Sequence, residues 1–266
     1  MQEKLPLALR LADQSWARRL LVIACVSLLW EINARVINNT LLFPTFIETT
    51  IALFRAIADG VLLERVATSF RILAMGYGAG MLAAAILTGL AAGSRIGADI
   101  LSTLTAMFNP LPAIALLPLA LLWFGLGTGS IVFVVVHSVL WAVALNTHVG
   151  FRSVPDAQRM AGQNYGLRGL RYVCLILVPA ALPSILSGLK IGWAFAWRTL
   201  IAAELVFGVS SGAGGLGWFI FERRNALETA DVFAGLMTVI LIGLFVESVI
   251  FRAVENRTVI RWGMQR

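Results

Sequence analysis

Two charged side chains stand where the chain is otherwise apolar. Arg198 falls within a long hydrophobic stretch, Cys174 to Ile201, and Glu204 lies at its outer end. An ionisable group in such a setting is a functional candidate by default, because lipid or a packed core makes it costly to keep. Arg198 has two readings: it attracts an anion, or it bonds backbone carbonyls or a carboxylate of another segment. Glu204 is six residues on, so the two do not share a helix face and are not expected to pair. A second group is His137, Trp141, Ala144 and His148, which recur on one face of a helix. Two histidines on one face raise the question of a metal, but eleven residues rise about 16 Å along a helix, too far for one ion to bridge. Lining or packing is the expected role, and no metal ligand set is expected. Asn109 and Asn146 are further polar candidates. The glycines Gly212, Gly214, Gly215 and Gly217 lack the Lys-Ser/Thr of a nucleotide-binding phosphate loop. They read as a turn-rich segment. The chain itself is expected to bind no cofactor and to catalyse no reaction.

The elements that must position these residues are membrane spans. Of 266 residues, 59% are hydrophobic and 13% charged, and mean hydropathy is +0.86. Soluble domains carry about 45–50% apolar and about 25% charged residues. The pattern predicts an all-α polytopic fold with six spans, near Ala17–Ile32, Ile72–Gly93, Ile100–Phe124, Ser130–Val149, Cys174–Ile201 and Val232–Ile250. Gly76 and Gly80 in the second span form a small-xxx-small pair suited to close helix packing. Pro110, Pro112 and Pro118 in the third predict a kink or a break, which in lipid needs either packing partners or a wet cavity. Pro44 to Asp59 reads as a short amphipathic helix beginning at Pro44, with Phe46, Ile47, Ile51, Phe54 and Ile57 near helical spacing. It is expected to lie at an outer interface.

Basic residues orient the spans. The net charge is +7, which in this setting marks a cytoplasmic side rather than nucleic-acid binding. Lys4, Arg10, Arg18 and Arg19, then Arg95, then Arg152, Arg159, Arg168 and Arg171, then Arg252, Arg257, Arg261 and Arg266 all fall on one face if there are six spans. Both termini are therefore expected to be cytoplasmic. The first span lies too far from the polar start to read as a cleaved leader. Cys25 and Cys174 lie far apart in apolar surroundings, with no disulfide pattern.

The stretch Val154–Pro183, VPDAQRMAGQNYGLRGLRYVCLILVPAALP, is a polar loop between apolar spans. With NPLPAIALLPLALLWFGLG at 109–127 and WAFAWRTLIAAELVFGVSSGAGGLGWFI at 193–220, it carries a resemblance covering roughly Leu63 to the C-terminus. The chain resembles the integral-membrane permease subunits of bacterial importers driven by ATP-binding cassettes, closest to the nitrate, taurine, alkanesulfonate and bicarbonate branch. The resemblance implies a type I importer permease fold in the bacterial inner membrane and a path for a small solute, an anion such as a sulfonate, nitrate, bicarbonate or an aromatic carboxylate. It implies two ATP-binding ATPase partners, a solute-binding protein outside the membrane, and a second permease copy. On this reading residues 1–62 hold the tail, first span and outer helix, and 63–266 hold a permease core with a coupling loop at about 150–173.

The family's loop reads E-A-A-x-x-x-G followed by an apolar-Pro pair some thirteen residues after the glycine. One register uses Asp156, Ala157 and Gly162 and misplaces Pro179; the other uses Met160, Ala161, Gly162 and Gly166 and places it. In the second, Met160 stands where the family has glutamate. The resemblance implies a docking helix over Arg159–Gly166, with Arg159, Met160, Ala161, Gly162, Tyr165, Gly166, Leu167 and Arg168 touching the ATPase. Ala161 and Gly162 are expected to allow close approach to it, Gly166 to end the helix at positive φ, and the arginines to pair with the partner's acidic groups or lipid phosphates. The tentative pathway set is Asn109, His137, Trp141, Arg198 and Glu204. The rival readings are a self-sufficient secondary transporter or channel, which calls for paired intramembrane carboxylates or inverted repeats, and a membrane-embedded enzyme, which calls for a His/Asp/Glu cluster. Neither signature is in the sequence.

Overall fold

The computed structural model describes residues 15–207 and 214–261, and every regular element among them is helical. Lys4, Arg10, Gly212 and Arg266 lie outside the described residues. Four helices are long and apolar enough to cross a membrane: α1 (Ser15–Ile37), α3 (Val61–Gly93), α6 (Thr128–Arg152) and α11 (Thr229–Ile260). Two further candidates are bent pairs. Helix α4 (Arg95–Phe108) and the segment leading into α5 (Leu117–Phe124) meet at 87°; α8 (Gly169–Ala180) and α9 (Leu182–Phe207) meet at 80°. Six crossings result if each bent pair is one. The third and fifth expected spans are thus not continuous helices. Each break has a local cause. At 109–112, Pro110 and Pro112 remove two backbone donors. Near Ala181, a π-helical turn at Val173–Leu177 precedes Pro179, and Pro183 opens α9.

One compact unit joins the described residues up to Val61 with Ile220–Met237. In it Trp30 packs against Phe43, Phe46 and Phe233 and donates its indole N–H to Pro44 O at 3.0 Å. Helix α2 (Phe46–Ala58) starts two residues later than the sequence predicts. Thr45 is its N-cap, in a reciprocal capping box with Glu48, and Pro44 lies outside. Thr49, Ala52, Leu53 and Ala56 are buried, while Ile47, Ile51, Phe54 and Ile57 point outward. Where the surroundings are lipid, small side chains go inside and large apolar ones outside.

The second unit, Leu62–Phe219 with Thr238–Arg266 as far as it is described, holds the candidate site. Its centre is α6, against which α3 and α9 pack through glycines. A Cβ added at Gly76 or Gly80 of α3 would lie 2.6–2.8 Å from Val135 or Val139 side-chain carbons. On α9, Gly188 approaches Asn146 and Gly192 approaches Val143, and Gly150 of α6 approaches Ser184. The Gly76/Gly80 pair was legible in the sequence; Gly188/Gly192 has the same spacing and the same use.

Candidate functional site

The bend at 109–112 faces the middle of α6 and the second half of α9, and a cavity of about 370 Å³ lies between them. Four of the five pathway candidates line it together: Asn109 at the bend, His137 and Trp141 on α6, and Arg198 on α9. Ser138, Phe195 and Thr199, which sequence reasoning passed over, join them. Irregular backbone at membrane depth persists only where protein buries it or where it borders a polar cavity, and here the broken segment is the cavity wall.

The polar groups of this cavity are donors with few partners. Arg198 donates its Nε–H to Ala194 O at 2.9 Å, one turn back on its own helix, and its guanidinium lies 5.4 Å from the Phe195 ring centroid. Among the described residues no carboxylate forms an ion pair with it. His137 has both ring nitrogens buried without a protein partner, and so is Trp141 Nε1. Trp141 is only 8% exposed and stacks on Phe108 at 5.3 Å between centroids. His148 is separate, bordering two other cavities closer to Arg152. His137 and His148 thus border different cavities, and no cluster of three or more metal-ligating side chains occurs among the described residues.

Glu204 does not belong with this set, which corrects the sequence expectation. It is 1% exposed and its carboxyl group is fully engaged elsewhere. Ser69 Oγ on α3 lies 2.8 Å from both of its oxygens, and the Gly217 N–H donates to Oε2 at 2.8 Å. The Leu216 N–H donates to Ser69 Oγ at 2.8 Å. Leu216 and Gly217 open α10 (Leu216–Asn225), so Glu204 and Ser69 together satisfy the first amides of a helix that has no N-cap side chain of its own. The glycines make the approach possible: a Cβ on Gly215 would stand 2.1 Å from Glu204 Oε1, and one on Gly217 2.6 Å from Glu204 Cβ. The glycine-rich stretch is thus a close-packed cap rather than only a turn, as far as its residues are described. Arg65 closes the cap by donating to Gly214 O at 2.9 Å. A signal for Ser69 was present: it continues the buried Gly76/Gly80 stripe of α3 at helical spacing.

The loop after α6 folds as a short helix, α7 (Asp156–Asn164). It starts three residues earlier and ends two residues earlier than expected. Asp156 sits in its first turn, where a negative charge favours the helix dipole. Gly166 has φ +74°; its N–H donates to Gln163 O at 2.9 Å and the Leu167 N–H donates to Gly162 O at 3.1 Å. That pair of bonds is a Schellman motif. Two residues expected to face a partner, Gly162 and Arg159, face the chain instead. Gly162 is buried, and a Cβ there would lie 2.8 Å from Ile176 Cγ1. Arg159 donates to the carbonyls of Phe151 and Val154, fastening α7 to the end of α6. What α7 offers outward is Met160, 61% exposed, and Tyr165, 86% exposed, with Ala161 beside them. Arg168 is exposed, Leu167 is half-buried, and both border a larger cavity of about 890 Å³ with the end of α3.

Residues 76–259 match the family model described as the binding-protein-dependent transport system inner membrane component. The taurine transport system permease protein of Escherichia coli K12 is 32% identical over 179 residues, 65% of this chain and 63% of that protein. The nitrate import permease protein of Leptolyngbya laminosa is 31% identical over 197 residues, 72% of this chain and 67% of that protein. The bicarbonate transport system permease protein of Synechococcus elongatus is 30% identical over 170 residues, 61% of this chain and 59% of that protein.

Proposed function

The chain belongs to the family of binding-protein-dependent transport system inner membrane components, as a permease subunit of an ABC importer, and from that membership we propose that it works as one of two permease copies whose exposed α7 docks on separate ATPase subunits. The observation that carries this reading is the form of α7. A polar helix stands between two long apolar elements, fastened from behind by Arg159 and Gly162 and closed by the left-handed Gly166, with Met160 and Tyr165 presented outward. A helix braced in this way transmits force as a lever, because its inward contacts hold it to α6 and α8 while its outward side chains are free to bury in a cleft. With Met160 in the place of an acidic residue, the contact at that position is apolar.

The distribution of basic residues supports an orientation with the α7 side and both termini in the cytoplasm. ATP is bound and hydrolysed by the partner subunits, and a solute-binding protein delivers the cargo on the opposite side. Two-fold pairing is the common closed assembly, and it gives each of two ATPases one α7. The cargo is a small anion: taurine, nitrate and bicarbonate appear in the names of similar permeases, and the cavity of this chain holds an unpaired guanidinium.

The test is co-expression of the chain with an ATP-binding cassette ATPase and a solute-binding protein of the same transport family, followed by reconstitution. Wild type is expected to copurify with the ATPase and to transport only with ATP. Gly166→Val places a β-branched residue at φ +74°, at a cost of about 1–2 kcal/mol, and is expected to leave ATP hydrolysis running while transport falls. Transport in vesicles without any ATPase overturns the proposal, and unchanged transport by Gly166→Val removes α7 from it.

A further inference from the structure

We propose that the cavity between the 109–112 bend, α6 and α9 is a binding site within the permease itself for an organic monoanion, a carboxylate or sulfonate carried on an apolar body. The proposal rests on the permease reading and adds to it a site, a ligand class and the residues that choose it.

Three independent features point to an anion. Arg198 has its Nε committed to Ala194 O, which leaves the two terminal amino groups of the guanidinium unengaged by any described residue. That fork matches a carboxylate or sulfonate edge. Trp141 is more than nine-tenths buried and its Nε1–H, a group that can only donate, has no protein acceptor. His137, one turn before it on the same face, also has both ring nitrogens buried and unpartnered. Orphaned buried polar groups are rare and call for an explanation. A single anion seated in this cavity can accept from the Arg198 fork, from Trp141 Nε1–H and from one N–H of His137, and it neutralises the one charge. No described carboxylate lines the cavity to repel it.

The remaining walls set the rest of the ligand. Pro110, Leu111, Pro112, Ile114 and Phe195 are apolar, and Trp141 stacked on Phe108 gives a flat aromatic face. At about 30 Å³ per water, the cavity of about 370 Å³ has room for roughly a dozen waters, far more than a bare inorganic anion fills. It lies within the range of small-molecule sites, about 300–1,000 Å³. A bare anion would leave the apolar wall uncovered, whereas an organic body desolvates it.

The experiment uses the full chain in nanodiscs, alone, with isothermal titration of four probes at constant ionic strength: benzenesulfonate, butanesulfonate, nitrate and uncharged benzenesulfonamide. At least one organosulfonate is expected to bind at a single site, with nitrate and the sulfonamide at least about tenfold weaker, since a charge-assisted hydrogen bond or a lost apolar contact is each of that order. Arg198→Met is expected to weaken the organosulfonate at least about tenfold. Arg198→Lys keeps the charge without the fork and falls between. Trp141→Phe keeps the ring and removes the donor, and lowers affinity with nitrate still the weaker ligand. The last two variants carry the test if Arg198→Met does not fold. Equal affinity in wild type and the Arg198 variants, nitrate binding as tightly as both sulfonates, or no sulfonate binding overturns the proposal. Copurification of each variant with the ATPase is scored alongside: if it persists while binding is unaffected by Arg198, only the cavity proposal fails, and if wild type does not copurify, the permease reading itself fails.

Discussion

Glu204 and Arg198 are two ionisable residues on one helix, and the structure treats them in opposite ways. Glu204 is enclosed, with each carboxyl oxygen bonded and two glycines shaped around it. Arg198 borders an open cavity, with one N–H used on its own helix and the rest of its fork idle. Even the neighbours follow suit. Ser69 bonds to both Glu204 and the Leu216 amide, whereas His137 and Trp141 beside the Arg198 cavity bond to nothing in the protein. A saturated polar cluster fixes architecture, here the start of α10. An unsaturated one is left ready for something that comes and goes. Intramembrane charge alone did not separate the two cases; the count of satisfied partners did.

The contrast is broken most forcefully at Glu204. Glu204→Leu strands the Gly217 N–H and the Ser69 hydroxyl in a buried site, at about 1–3 kcal/mol for each orphan. The detergent-solubilised chain is expected to lose several kcal/mol in all, read as a lower thermal midpoint and poor recovery of monodisperse protein. Glu204→Gln keeps an acceptor for Gly217 and loses less. At Arg198 the expected result is the reverse: Arg198→Met leaves the midpoint within about 0.5 kcal/mol of wild type, because its contacts, Ala194 O and the Phe195 ring, are confined to its own helix. A large midpoint loss in Arg198→Met would make both residues architectural and erase the distinction.

Much of the fold was legible because lipid demands long apolar runs, and those are local in sequence. The apolar helices, four single ones and up to six crossings with the bent pairs, and the Gly76/Gly80 packing face follow from that. Less of the site was legible, for physical reasons that differ by residue. Pro110 and Pro112 announced a break, but proline fixes neither its angle nor what it faces. Glu204 reads as a pathway residue until Ser69 is brought to it from 135 positions away. Gly162 and Arg159 looked like partner-facing residues because the loop's apolar neighbours, Ile176 and the end of α6, come from either side of it.

The finest test of the contrast uses two serines, each a hydroxyl beside one of the two charged residues. Ser69 donates to Glu204 and accepts from the Leu216 N–H, across three elements. Ser138 lines the Arg198 cavity and donates only to Val135 O, on its own helix. Ser69→Ala removes a hydroxyl that both Glu204 and the α10 terminus depend on, and is expected to cost about 1–2 kcal/mol of thermal stability. Ser138→Ala removes a local bond that helix α6 forms without, and is expected to stay within about 0.5 kcal/mol. If the two substitutions cost the same, the α10 cap draws no stability from its saturation, and the difference between a finished polar cluster and an open one loses its energetic basis.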